Sequence, residues 1–141
     1  MKLLIAALAL VAAGPALADP VCEMRGAEPL PVFETAKAAF LKGDFSAFLG
    51  SATVLMRGER AALEAPLAKL ADLVPSGFDS CQTILQRRDI GGLVQEVTTF
   101  DIPGKSFPIS LYLQAAPVKG AMGITSLSYN SKLDTVLNEL H

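Results

Sequence analysis

The chain has 141 residues, and its 12 basic and 14 acidic side chains give a net charge of −2 with the lone histidine neutral. Because this charge is mild and the basic residues do not cluster, the chain lacks the electrostatic signature of a nucleic-acid-binding protein. One histidine, the terminal His141, and two cysteines are too few ligands and bases for a zinc site or a nucleophile–histidine pair. The sequence therefore predicts no metal, no cofactor and no catalytic residues of that kind.

The first 18 residues have the pattern of a cleavable export signal. A lysine precedes an apolar run over residues 3–13, and small residues lead up to a cleavage site between Ala18 and Asp19. The run is too short for a membrane-spanning helix, which needs about 20 apolar residues. We expect residues 19–141 to form a single domain that is periplasmic or secreted, with no membrane anchor after cleavage.

A lipid anchor on Cys22 is the alternative at this end of the chain. A lipid-attachment site favours a small residue just before the cysteine and an aliphatic residue three positions before it. The chain has Val21 and Asp19 there. These residues favour the cleaved, unlipidated form.

Cys22 and Cys81 are the only cysteines, and an even number in an oxidising compartment predicts a disulfide. The bond would join the start of the mature chain to its middle. Closing a loop of about 60 residues is worth roughly 4 kcal/mol in the chain-entropy model. The spacing of the two cysteines does not match a redox or metal motif.

Three helices are predicted in the first half of the chain. Pro31 suits the first turn of a helix whose apolar residues recur at helical spacing until Gly43. Asp44 is a predicted N-cap for a short second helix. A third helix is expected over residues 59–73, kinked or restarted at Pro66 because proline removes a helical hydrogen bond.

The second half has four strand-like runs separated by turn residues. Gly91-Gly92 favours a tight primed hairpin turn, Pro103-Gly104 a type II turn, and residues 117–120 a slightly longer loop. A last amphipathic helix is expected after Asn130 or Ser131. The four predicted strands are residues 81–89, 93–102, 107–115 and 122–129.

These elements predict an α+β fold. N-terminal helices would pack on one face of a curved four-stranded antiparallel meander, followed by a C-terminal helix. In the third strand, apolar and polar side chains alternate, so one face of the sheet is expected to be covered and the other wetter. The alternating sets are Phe107, Ile109, Leu111 and Leu113 against Ser110, Tyr112 and Gln114.

Acid–base catalysis would require only a carboxylate in a dry pocket with a hydroxyl group in reach. Glu96, Asp101 and Tyr112 are the residues that could form such a set. Their spacing is not specific, and strand residues of these types are usually exposed. We therefore name no catalytic residue, and Glu96, Asp101 and Tyr112 remain an alternative.

The segment FETAKAAFLKGDFSAFL, residues 33–49, resembles the opening of exported NTF2-like domains, with a helix, a Gly-Asp turn beside an aromatic residue, and a short second helix. The resemblance extends over most of residues 31–129. It implies an NTF2-like or cystatin-like roll that encloses a hollow between sheet and helices. Catalytic members of the superfamily use an Asp or His in that hollow, and this chain lacks the histidine.

The resemblance implies an exported, non-catalytic module that binds a small apolar ligand or a periplasmic protein in the hollow. The sequence does not identify the ligand-binding residues. A cofactor-free isomerase or dehydratase with a buried carboxylate is the catalytic alternative. A structural homodimer, joined through sheet faces or edges, is the third.

Overall fold

The computed structural model describes residues 19–56 and 58–140. The predicted signal peptide, including Ala18 at its cleavage site, lies outside these residues. The described elements, in chain order, are β1 (Glu23–Met24), α1 (Pro31–Leu41), α2 (Phe45–Ala52), α3 (Glu59–Leu73), β2 (Ser80–Arg88), β3 (Val94–Asp101), β4 (Pro108–Val118), β5 (Ala121–Asn130) and α4 (Leu133–Leu137).

The α+β class is confirmed, but the sheet differs from the prediction. It is an open sheet of five strands in the order β1-β2-β3-β4-β5. The four predicted strands form its antiparallel part, whereas β1 pairs parallel to β2 through Glu23↔Gln82 and Met24↔Thr83. The expected four-stranded antiparallel sheet is thus a five-stranded mixed one. A strand of two residues is too short to show an alternating pattern in the sequence.

Local signals set the helix boundaries of the first half. The Asp44 side chain accepts a hydrogen bond from the Ala47 N–H at 3.0 Å, which confirms the predicted N-cap of α2. Pro66 lies inside α3 and does not end it, so of the two predicted alternatives, a kink or a restart, the restart does not occur. Gly77, at φ +85°, lies so close to α1 that a Cβ would be 2.7 Å from the Leu41 carbonyl oxygen. Only glycine fits there.

Two hairpin turns exchange their predicted types. Only Gly92 has a positive φ in the β2–β3 loop, and the Asp89 N–H donates to the Leu93 carbonyl, so this loop is longer than the predicted two-residue turn. The β4–β5 turn is instead the tight one, because Lys119 and Gly120 both have positive φ values of 51° and 81°. The predicted type II turn at Pro103-Gly104 fits Gly104 at φ +72° and the Lys105 N–H to Ile102 carbonyl bond.

The main core lies between the sheet and helices α1 and α2. Phe40 is at its centre, with ring centroids 4.8–5.3 Å from four other aromatic rings. These rings belong to Phe45, Phe48, Phe78 and Phe100. The predicted alternation is confirmed for Ile109, Leu111 and Leu113, which belong to this core, but not for Phe107, which precedes β4 and is exposed.

Helix α4 packs against the opposite face of the sheet. Its Val136 forms a second small core with Val97 and Tyr112, and Leu85 packs at the side. Tyr112 is therefore buried, and this part of the expected wetter face is covered. The helix is also shorter than the apolar stripe in the sequence predicted. It ends at Leu137.

Candidate functional site

The structure does not bring the candidate acid–base residues together. Glu96 is buried on the face of the sheet that α1 covers, whereas Tyr112 is buried on the face that α4 covers. Asp101 is exposed at the end of β3, where its carboxylate accepts a hydrogen bond from the Ser80 hydroxyl at 2.6 Å. Glu96, Asp101 and Tyr112 therefore cannot act on one substrate atom in this arrangement.

A buried charged cluster connects α1 to the sheet. The fully buried Lys37 ammonium donates to Glu96 Oε1 at 2.6 Å and to the Thr83 hydroxyl at 3.3 Å. It also forms an ion pair with Glu34 Oε1 at 2.6 Å, although the contact lacks the directionality of a hydrogen bond. Two buried carboxyl groups thus share one ammonium. We name this set of Glu34, Lys37 and Glu96 the charged cluster.

Hydrogen bonds occupy both oxygens of Glu96. Besides Lys37, its Oε1 accepts from the hydroxyls of Thr83 and Thr98, each at 3.3 Å. Its Oε2 accepts from Gln86 Nε2 at 3.0 Å. A general base needs a free oxygen within reach of a substrate proton. Both oxygens of Glu96 already accept hydrogen bonds within the fold, and the charged cluster joins α1 to the sheet.

Sequence reasoning missed this cluster because lysine is rarely buried. The signal was nevertheless present in α1. Lys37 lies on the same stripe as Phe33, Ala36 and Phe40, and Glu34 precedes it by three residues, the spacing of a helical ion pair. A charged pair on the inward stripe of a helix predicts a buried partner on the neighbouring element. That partner is Glu96.

The N-terminal segment is attached next to the charged cluster. Glu34 Oε2 accepts a hydrogen bond from the Val21 N–H at 2.8 Å. The adjacent Cys22 forms the predicted disulfide with Cys81 of β2, across 59 residues of sequence. The disulfide prediction is therefore confirmed, and it holds the N-terminal segment where β1 extends the sheet.

A neutral hydrogen-bonded chain runs across the other face of the sheet. Gln95 Nε2 donates to the Tyr112 hydroxyl at 2.9 Å, which in turn donates to Gln114 Oε1 at 2.9 Å. Gln114 Nε2 then donates to the Thr125 hydroxyl at 3.1 Å. We name Gln95, Tyr112, Gln114 and Thr125 the neutral network. The hydrogen bonds between its side chains are all donated in one direction, from β3 through β4 to β5.

Both tyrosines have raised pKa values because burial penalises the phenolate form. For Tyr112, the hydrogen bond from Gln95 partly opposes this effect, and the negative charge of Glu139 adds to it. Burial alone raises the pKa of Tyr129. Among the described residues, neither hydroxyl lies beside a buried base.

The space between α1 and the sheet, where a ligand was expected, is occupied by side chains. The rings around Phe40 fill one part of it and the charged cluster fills another. Open clefts lie at the periphery instead. A groove of about 500 Å³ between α2 and α3 has Phe45, Leu49 and Leu67 among its apolar lining, with Arg60 and Glu64 also contributing.

A second cleft, of about 260 Å³, lies where α1 and α2 meet the β4–β5 hairpin. We name it the apolar cleft. Val54 and Leu55, which follow α2, are part of its lining, and their side chains remain 72% and 43% exposed. Ser51 contributes the only hydroxyl group. The full lining is Val32, Ser51, Val54, Leu55, Val118, Ala121, Met122, Gly123 and Ile124.

The described residues provide neither a metal-ligand cluster nor a membrane-spanning helix that would define a site. Residues 19–56 and 58–140 contain no group of three or more His, Cys, Asp or Glu side chains placed to hold a metal ion. Within that part of the chain, no helix combines the length and apolar character needed to cross a membrane.

No family model, curated protein or solved structure matches this chain. The described residues define an α+β domain with an open mixed sheet, an internal disulfide and clefts at its periphery.

Proposed function

We propose that this protein is an exported, non-catalytic binding module of NTF2-like shape that takes a small apolar ligand in the apolar cleft. The proposal moves the expected site from the hollow, which side chains occupy, to the edge of the main core. The single observation that carries it is the exposure of Val54 and Leu55 beside a concave apolar surface. Large exposed apolar side chains grouped around a cleft are typical of ligand sites.

The size and chemistry of the apolar cleft limit the ligand class. Its volume of about 260 Å³ is slightly below the roughly 300–1,000 Å³ of drug-sized sites. A short aliphatic chain or a single ring suits it better than a larger molecule. The lining has no charged side chain, so a neutral group beside the Ser51 hydroxyl is favoured over an ion.

Two observations support export and shape. A disulfide is typical of proteins that fold in an oxidising compartment, which agrees with the predicted signal peptide. The order of three helices followed by an antiparallel meander matches the order that the NTF2-like resemblance implies. The short β1 and the helix α4 are additions to that plan.

The catalytic alternative is less favoured because of the surroundings of Glu96. An isomerase or dehydratase would need this carboxylate to reach a substrate, but Lys37, Thr83, Thr98 and Gln86 already occupy its oxygens. Opening the site would separate α1 from the sheet. Binding in the apolar cleft requires no such rearrangement.

The test is native mass spectrometry of the protein purified from the periplasm, followed by titration with a fluorescent apolar probe. Val54→Glu places a charge at the mouth of the apolar cleft, and we expect it to weaken probe binding about tenfold or more because a bound apolar probe would strip water from an unpaired carboxylate. Ile90→Glu is the matched control, since Ile90 is a fully exposed aliphatic residue on the β2–β3 loop and outside the apolar cleft.

A small molecule retained by the wild type and lost in Val54→Glu, but kept in Ile90→Glu, would support the proposal. Equal probe affinity in both variants would refute the site. If Val54→Glu retains the ligand, the apolar cleft is not its binding site, and the groove between α2 and α3 is the next candidate.

A further inference from the structure

The two edges of the sheet are protected to very different degrees. On the β2 side, β1 pairs with Gln82 and Thr83, and a bulge follows directly. The side chains of Gln86 and Arg88 then donate to the Glu28 carbonyl at 2.7 and 2.9 Å, so the preceding loop is tied over the rest of this edge. Short edge strands, bulges and charged residues are the devices by which proteins prevent edge-to-edge association.

The β5 side also has one bulge, at Thr125, but among the described residues no strand or loop is bonded over it. This strand has ten residues, is last in the sheet order and pairs only with β4. Among the described residues, no side chain and no backbone group of another segment bonds to its outward N–H and C=O groups. Helices α1 and α4 contact the strand across the two faces of the sheet, and Leu55 packs against Gly123 near its start, which leaves the edge from Thr125 to Asn130 open.

The composition of β5 favours association. Its sequence AMGITSLSYN contains no charged residue and no proline. A long uncharged edge strand without proline is a ready template for another strand. By contrast, the β2 edge contains Arg87 and Arg88, whose like charges would oppose self-pairing.

We propose that two copies of this chain associate through antiparallel pairing of their β5 strands about a twofold axis perpendicular to the sheet. A paired strand of ten residues supplies up to about ten new backbone hydrogen bonds, two at every second residue except where the bulge at Thr125 interrupts the spacing. The axis keeps the α1 faces of both copies on the same side. On one face, the apolar side chains of one β5 then lie beside the apolar side chains of the other. On the opposite face, the Ser and Thr side chains of the two copies lie side by side.

A second copy fits this edge better than an unrelated strand for a geometric reason. Pairing β5 with β5 produces one continuous sheet whose two outer edges are both the protected β2 side. Association therefore stops at the dimer, as a closed twofold interface requires. This inference does not rest on the ligand proposed for the apolar cleft; the cleft includes Ala121–Ile124 of the same strand, but Ser126 lies outside it.

The experiment is light scattering and native mass spectrometry of the full mature protein over a micromolar to submillimolar concentration range. Ser126→Lys puts a charge on β5, on the α4 side of the sheet, beside the same charge of the second copy. We expect it to weaken dimerisation about tenfold or more through like-charge repulsion. Thr99→Lys is the matched control, because Thr99 is also half-buried on that face but lies on the central strand β3.

Backbone hydrogen exchange of the wild type provides a readout that needs no variant. Slower exchange of β5 amides at high protein concentration than at low concentration is the expected result, with β2 amides unchanged. A wild type that stays monomeric, or a dimer whose β5 amides exchange equally at both concentrations, would overturn the proposal. So would a dimer that Thr99→Lys disrupts and a folded Ser126→Lys leaves intact. Pairing of β5 with another protein would show a monomer in these measurements and counts against the dimer.

Discussion

The two faces of the sheet carry polar groups of opposite kinds. The charged cluster on the α1 face consists of three ionisable side chains at contact distance, whereas the neutral network on the α4 face consists of amides and hydroxyls. Burying charges is costly unless each has a partner, and buried neutral groups cost far less. The charged cluster should therefore tolerate the loss of one member much less well than the neutral network.

The positions of the two sets explain what each contributes. The charged cluster joins three separate parts of the chain, because Glu34 and Lys37 are on α1, Glu96 is on β3, and Glu34 also accepts from Val21. The neutral network connects only neighbouring strands, which backbone hydrogen bonds already hold. The charged cluster thus fixes the packing of distant parts of the chain. The neutral network pairs the polar side chains that lie beneath α4.

The largest effect is expected for Lys37→Met, which keeps the apolar stem and removes the charge. It leaves Glu34 and Glu96 buried without a counter-charge, and we expect a loss of about 3–5 kcal/mol in the free energy of unfolding. The matched variant on the other face is Gln95→Met, which removes one neutral donor and should cost about 1 kcal/mol. Urea denaturation measures both. Equal losses in the two variants would contradict the comparison.

A smaller but still large effect is expected when Cys22 and Cys81 are both changed to serine. The loss of the cross-link should cost about 2–4 kcal/mol, chiefly by enlarging the unfolded ensemble. We expect Val21, which donates to Glu34, to lose amide protection first because the disulfide holds the segment beside it.

This double variant also separates the two faces. The phenol of Tyr112 lies on the α4 face, away from the released segment, so its alkaline absorbance titration should stay unchanged. Unchanged exchange at Val21 would show that the disulfide does not hold this segment, whereas a shifted titration of Tyr112 would show that the faces are not independent.

The sequence was sufficient for the elements with strong periodicity or a specific local residue. The helix stripe before Gly43, the Asp44 cap, the alternation in β4 and the disulfide were all predictable because each depends on a few residues close in sequence or on cysteine chemistry. The short β1 was not predictable. Its position depends on the bond between Cys22 and Cys81 and on the edge of β2.

The errors have a common physical origin in long-range pairing. Gly91-Gly92 suits a tight turn, but β2 ends at Arg88 and β3 begins at Val94, so the register leaves a longer loop. The burial of Lys37 likewise depends on Glu96, which is 59 residues away. A local window does not give the register of the hairpin, and for Lys37 it gives the inward position on α1 but not the partner. The candidate set of Glu96, Asp101 and Tyr112 failed because strand alternation places Glu96 and Tyr112 on opposite faces.

The smallest effect concerns alkaline pH and the neutral network. Burial raises the pKa of Tyr112, so the folded protein holds this proton at pH values where the unfolded chain, with a phenol pKa of about 10, releases it. The unfolded state then binds fewer protons, and stability falls as pH rises above about 10. Tyr129 acts in the same direction, since burial also raises its pKa. Below that pH both contributions are fully present.

Tyr112→Phe should therefore give a shallower loss of stability with rising pH than the wild type, measured by urea denaturation at several alkaline values. Tyr129→Phe is the matched variant, with the same chemistry on the α1 face. It removes a hydroxyl that has no partner among the described residues, so it should cost less at neutral pH than Tyr112→Phe. If both variants lose stability with rising pH as steeply as the wild type, neither phenol stays protonated in the folded protein. The two faces would then differ only through the charged cluster.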